Sequence, residues 1–299
     1  MTITKADLGR IGIWTAASDA MSSDSAGELA QLIEEVGFPT MWIPETVGRD
    51  PFVTATLLLE RTSTLQIATG IANIYARDAV TMANTQRSLE EAFPGRFLLG
   101  LGVSHEHLVD RVRKHDYSKP YSRMVEYLDE MDAAVFRGVG PTELPARVLA
   151  ALGPKMLALA GSAAQGAHPY FVPVEHTAFA RETLGEGPIL APEQMVVLDT
   201  DPDSARETAR TAMAVYLRAP NYRNNLARFG FGEEDVADGG SDRLVDAIVA
   251  WGDVDAAVER VQAHHDAGAD HVAVQILASG GLSLPENQLR ELGSGLLSD

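Results

Sequence analysis

Short apolar runs alternate along the whole chain with longer segments in which apolar residues recur every three to four positions. The short runs predict strands at 10–14, 40–44, 65–71, 97–102, 148–151, 168–174, 194–198 and 271–277. The longer segments predict helices at 25–36, 51–61, 78–93, 121–136, 154–164, 176–184, 202–219, 243–251, 254–267 and 285–297. Local punctuation agrees with this reading. Ser25 and Glu28 have the spacing of a capping box, Leu29, Leu32, Ile33 and Val36 share one helix face, and Gly37 is a stop. Asp50 before Pro51 reads as an N-cap followed by a first-turn proline, and Asp78 caps the next helix.

Eight strands separated by helices predict an α/β fold, a (β/α)8 TIM barrel formed by one domain over 1–299. The strands are apolar nearly throughout, which suits a parallel sheet covered on both faces. The Gly-rich segment 221–242 is irregular and reads as an insertion, at about 220–242, between strands seven and eight. A doubly wound sheet is the rival, but Trp14-Thr15-Ala16-Ala17 follows the first strand where a dinucleotide-binding glycine fingerprint belongs.

Composition narrows the chemistry. The chain has no cysteine, which removes thiol catalysis, disulfide scaffolds, iron–sulfur clusters and Cys-bound zinc. Lys and Arg number 24 against 42 Asp and Glu, a net charge of −18 that repels nucleic acid and anionic lipid. No apolar run is long enough to span a membrane, and the first residues carry no signal-peptide core, so a cytoplasmic location is expected.

In a barrel, function lies at the C-terminal ends of the strands. Those ends carry Trp14, Glu45, Gly70-Ile71-Ala72-Asn73, Gly102-Val103-Ser104-His105, Leu152-Gly153, His176-Thr177 and Gln275. Gly70 and Gly102 read either as tight strand-to-loop turns or as a bare surface on which a planar ring rests. Glu45 is an acid/base candidate or a solvated loop acid. His105 and His107 flank Glu106 with no third ligand nearby, so no metal site is expected. Leu152-Gly153 before Pro154, and His176-Thr177, open helices whose free N–H groups suit an anion or simple capping. From Asp110 to Arg123 five basic residues stand against two acidic ones, either a solvated face or a grip for a polyanion.

The chain resembles the luciferase-like monooxygenase superfamily, in its actinobacterial branch that uses the deazaflavin coenzyme F420. The resemblance is carried by Gly12-Ile13-Trp14, Met41-Trp42-Ile43-Pro44-Glu45, Ala68-Thr69-Gly70-Ile71-Ala72-Asn73, Ala267-Gly268-Ala269-Asp270-His271-Val272 and, most specifically, Pro94-Gly95-Arg96-Phe97-Leu98-Leu99-Gly100-Leu101-Gly102-Val103. It implies a deazaflavin ring over the end of strand three, with a non-prolyl cis peptide at Gly70–Ile71 behind it. It implies that Trp14, Ala72, Asn73 and Gly102-Val103-Ser104 border the ring, and that Leu152, Gly153, His176 and Thr177 lie near the cofactor phosphate. The region 111–119 would hold the polyglutamate tail. Alcohol-oxidising relatives place a histidine after the acid of strand two, where this chain has Thr46; the acid/base candidates are therefore Glu45 and His105. The implied activity is hydride transfer between F420 and a small organic substrate. An FMN-dependent monooxygenase is the alternative and a non-catalytic ligand-binding member the second. Relatives of this kind are often homodimers.

Overall fold

The computed structural model of the protein describes residues 4–278, 281 and 283–298. Eleven strands among them form one parallel sheet: β1 (Ile11–Trp14), β2 (Thr40–Ile43), β3 (Gln66–Thr69), β4 (Ala72–Asn73), β5 (Phe97–Gly102), β6 (Arg147–Leu149), β7 (Gly166–Ala167), β8 (Ile189–Leu190), β9 (Glu193–Leu198), β10 (Val249–Gly252) and β11 (Val272–Ile276). The path of pairing runs β10-β9-β11-β1-β2-β3-β5-β6-β7-β8, with β4 beside β5. β8 and β9 are successive parts of one stretch. Its Ala191 and Glu193 N–H groups donate to the carbonyls of Ala167 and Pro169, whereas Ala273 donates to the Pro192 carbonyl. The sheet therefore curls back toward its own first strand.

Alternation along the strands explains why they read as unbroken apolar runs. Ile13, Met41, Ile43, Ile67, Leu99 and Val274 point to the helix layer and belong to its large core. Their neighbours Trp14, Trp42, Ala68, Leu98, Val148 and Ala273 point the other way, into a separate inner cluster. Trp42 fills the middle of that cluster: it is fully buried, stacks on His168 with centroids 4.2 Å apart, and donates from Nε1 to His271 Nε2 at 3.0 Å. Small residues surround it because the indole takes the space. At Gly12 a Cβ would stand 2.8 Å from the His271 ring.

Punctuation behaves largely as expected. Asp50 accepts from the Phe52 and Val53 N–H groups, Asp78 from Thr81, and Gly37 ends its helix at φ 104°. The first long helix starts earlier than the capping-box spacing predicts, because Ser22, not Ser25, is the N-cap. Other expectations need correction. The predicted strand 65–71 ends at Thr69, and the Gly70–Ile71 peptide that follows is cis, as the resemblance implies. The sixth strand is only Gly166–Ala167, and Phe171 beyond it has φ 58°. The predicted helix 243–251 stops at Ile248, and Val249–Gly252 instead pairs with β9. The segment 221–242 is mostly ordered: it contains the helices Pro220–Arg228 and Glu233–Val236. These pack with the helices Pro202–Met213 and Asp242–Ile248 around Phe171, Met195, Leu226 and Val249 as a second core. No helix among the described residues is long and apolar enough to cross a membrane.

Candidate active site at the strand C-termini

Glu45 follows β2 and its carboxylate is almost completely buried. Arg77 donates to both of its oxygens at 2.8 Å, and the Asn73 N–H donates to Oε2 at 2.7 Å. Arg113 also reaches Oε1, at 3.5 Å. A carboxylate with this many charge-assisted donors is an anchor that ties the end of β2 to β4 and to the residue before the Asp78 cap. Its oxygens are spent, which argues against the proton-carrying role that the sequence suggests. Arg113 points to the same carboxylate and to the Thr46 carbonyl. Arg123 likewise pairs with Glu130.

The glycines have a different purpose from that expected. A Cβ on Gly102 would sit 2.2 Å from Ile71 Cδ1 and 2.5 Å from Cγ1; one on Gly100 would sit 1.9 Å from the Thr69 carbonyl oxygen. The bare surface of β5 is thus taken up by the Ile71 side chain and by β3 backbone. Gly70 turns its hydrogen the other way, toward Trp14 Nε1 and His168 Nε2, both buried without a partner. Ala72 and Asn73 are buried in β4, while Val103 and Ser104 are partly open beyond β5.

His105 lies on the loop after β5, mostly buried beside Tyr222 (5.5 Å between centroids) and His107. Its Nδ1 is buried without a partner. Burial, then the neighbouring His107, lowers its pKa, which favours the neutral ring.

Beyond β6, Gly153 is the N-cap of the helix Pro154–Ala163, with no side chain on its free amides. The Arg228 guanidinium stands beside it; a Cβ on Gly153 would lie 3.2 Å and 3.4 Å from its two Nη atoms. A guanidinium facing the positive end of a helix is a repulsive arrangement that an anion would reverse. His176 and Thr177 do not join it. Both are fully buried; His176 Nε2 bonds the Leu152 carbonyl and Thr177 bonds His264, which continues to Gln194.

Two features escape sequence reasoning. The first is Glu193, buried in β9, with Oε2 accepting from the Phe171 N–H and Oε1 unpartnered. Desolvation pushes its pKa up to about 8, so it is protonated at neutral pH. An acid at the head of an apolar strand looks like an edge residue, and only the fold shows it turned inward. The second is a cavity of about 580 Å³ where Thr15–Ala17 after β1 and Gln275–Ala278 at the end of β11 face Ser204, Thr208, Thr211 and Tyr216. Tyr170 links its wall to the centre of the mouth: it donates to Gln275 Oε1 at 2.8 Å, shares a 2.7 Å bond with Tyr216, and packs on Trp14. Among the described residues no cluster of His, Asp and Glu is placed to hold a metal ion.

The profile of the luciferase-like monooxygenase family matches residues 2–271. The chain belongs to this family. The same fold is seen in an F420-dependent secondary alcohol dehydrogenase solved with an F420-acetone adduct, at TM-score 0.76 and 15% identity over 97% of this chain and 99% of that one. The FMN-bound oxygenating component of 3,6-diketocamphane monooxygenase from Pseudomonas putida has the same fold, at TM-score 0.69 and 16% identity over 95% and 96%. In sequence, the 5,10-methylenetetrahydromethanopterin reductase of Archaeoglobus fulgidus is 25% identical, covering 81% of this chain and 86% of its own. These enzymes and this chain share one α/β framework.

Proposed function

We propose that the protein is an F420-dependent oxidoreductase that transfers a hydride between the deazaflavin and a small organic substrate. The sheet is read as a (β/α)8 barrel whose 220–242 segment is inserted between strands seven and eight. The observation that carries the proposal is the cavity of about 580 Å³ at the C-terminal ends of β1 and β11, on the side of the sheet where barrel enzymes keep their substrates.

The residues present suit a phosphate-bearing cofactor. The uncapped N–H groups at Gly153, with Arg228 across from them, would hold the phosphate. Trp14, Gly70–Asn73 and Val103–Ser104 would border the ring, and Leu152 would flank the phosphate. When bound, the deazaflavin supplies two-electron hydride chemistry. The chain supplies the rest. Glu45 and Arg77 fix the backbone at Asn73. Tyr170, Tyr222 and Phe171 exclude water from the mouth. His105 handles the accompanying proton at Nδ1. His176 and Thr177 act only through the packing beneath Leu152.

The second reading, an FMN-dependent monooxygenase, is supported by the shared fold of the FMN-bound enzyme. Parallel titrations decide between the two. Quenching of F420 fluorescence at micromolar protein, with FMN emission unchanged, is the expected result. FMN binding alone would transfer the assignment to the monooxygenase, and binding of neither would remove both.

A further inference from the structure

We propose that the cavity between β1, β11 and the helix Pro202–Met213 takes an uncharged carbonyl compound, and that the side-chain amide of Gln275 recognises its oxygen. This deepens the oxidoreductase reading by naming a substrate class. Among the described residues the wall consists of hydroxyls (Thr15, Ser204, Thr208, Thr211, Ser283), apolar side chains and the Tyr216 ring, with no lysine or arginine. Its charged member is Glu207, on an exposed part of the helix. An anionic ligand would meet a carboxylate and no counter-charge, at the cost of its own desolvation.

The orientation of Gln275 is fixed. Tyr170 donates to Oε1 at 2.8 Å, and Tyr216 stands 2.7 Å behind Tyr170 in the same chain of bonds. Burial pushes both phenols up, so they stay neutral over the working pH range. With its oxygen bound to Tyr170, the amide has two N–H donors at Nε2 and no acceptor for them among the described residues, and the residue lines the cavity. A donor pair held by a hydroxyl behind it matches a carbonyl oxygen better than a hydrocarbon, and the wall hydroxyls suit polar neighbours of that carbonyl.

The test uses cyclohexanone, methylcyclohexane and cyclohexanecarboxylate as probes, titrated calorimetrically into the full-length protein. Wild type should bind cyclohexanone more tightly than methylcyclohexane and leave the carboxylate unbound. Gln275→Leu should weaken cyclohexanone binding about tenfold, the range of a lost hydrogen bond to a buried donor. Ala212→Trp, which puts an indole into the cavity wall, should abolish it; this variant decides the matter if Gln275→Leu does not fold. The proposal is overturned if the carboxylate binds as well as the ketone, if Gln275→Leu keeps the affinity, or if Ala212→Trp still binds. F420 titration of the same samples separates the two claims. Ketone binding without F420 binding leaves this inference standing and removes the oxidoreductase reading; F420 binding without ketone binding does the reverse.

Discussion

Glu45 shows how a single side chain changes meaning once its partners are known. In the sequence it is an acid after an apolar strand; in the fold it is a buried anion held by Arg77 from both sides and by the Asn73 amide. Removing one partner of such a pair leaves an uncompensated charge. Arg77→Ala should therefore destabilise the protein by about 3 kcal/mol or more, whereas the double variant Glu45→Gln/Arg77→Met should lose less than the single one. Urea unfolding of the three proteins measures this, and equal losses would mean that the pair is solvated. The glycines of β5 make a second case. Gly102→Ala places a methyl 2.2 Å from Ile71 Cδ1. Overpacking of this kind costs roughly 1–3 kcal/mol. Adding Ile71→Ala should recover most of it, since the clash is with that one side chain; failure of this rescue would locate the strain elsewhere.

At the scale of elements, the legible parts of the sequence were those with strong local punctuation. Asp50-Pro51, Asp78, Gly37 and the apolar runs of β1, β2, β5 and β11 are each set by neighbours close in sequence, and they stand where the pattern puts them. The strands around β6 to β10 were less legible because their pairing is decided by distant residues. Val249–Gly252 continues an apolar helix pattern and becomes a strand only because β9 offers an edge. The helix Pro220–Arg228 was hidden by its polar composition: its buried face consists of Tyr222, Asn225 and Leu226 alone. At the site, sequence reasoning named Gly153 and His105 but not Arg228, which the inserted helix brings across some 75 residues to the Gly153 end. Arg228→Ala should raise the F420 dissociation constant about tenfold and flatten its dependence on salt, as expected for one lost phosphate contact. A salt dependence equal to that of wild type would exclude Arg228 from the phosphate end.

The whole molecule carries its buried titratable groups in two opposing sets, and their balance sets its response to pH. Desolvation lowers His168 and His176 to about 4, and His264 and His271 to about 3, from an ordinary 6.5. Below that ordinary value the unfolded chain takes up protons that the folded chain refuses, so stability falls as pH drops toward 3–4. Glu193 works in the other sense. With a folded pKa of about 8 against an ordinary 4.5, it keeps a proton that the unfolded chain releases, so stability falls as pH rises through that window. Above about 6.5 the histidines no longer contribute a slope and Glu193 does, which places maximum stability near that pH. Glu193→Gln retains an acceptor for the Phe171 N–H while removing the ionisation. It should therefore stabilise the protein by roughly 3 kcal/mol near pH 7, and by progressively less toward pH 5. Urea unfolding of wild type and variant across pH 4.5–8.5 tests the sign directly. The acid limb should persist in the variant, because it belongs to the histidines, and the decline above 6.5 should vanish. If instead the two proteins keep a constant difference at every pH, Glu193 ionises freely in the folded chain and the inner face of β9 is open to water.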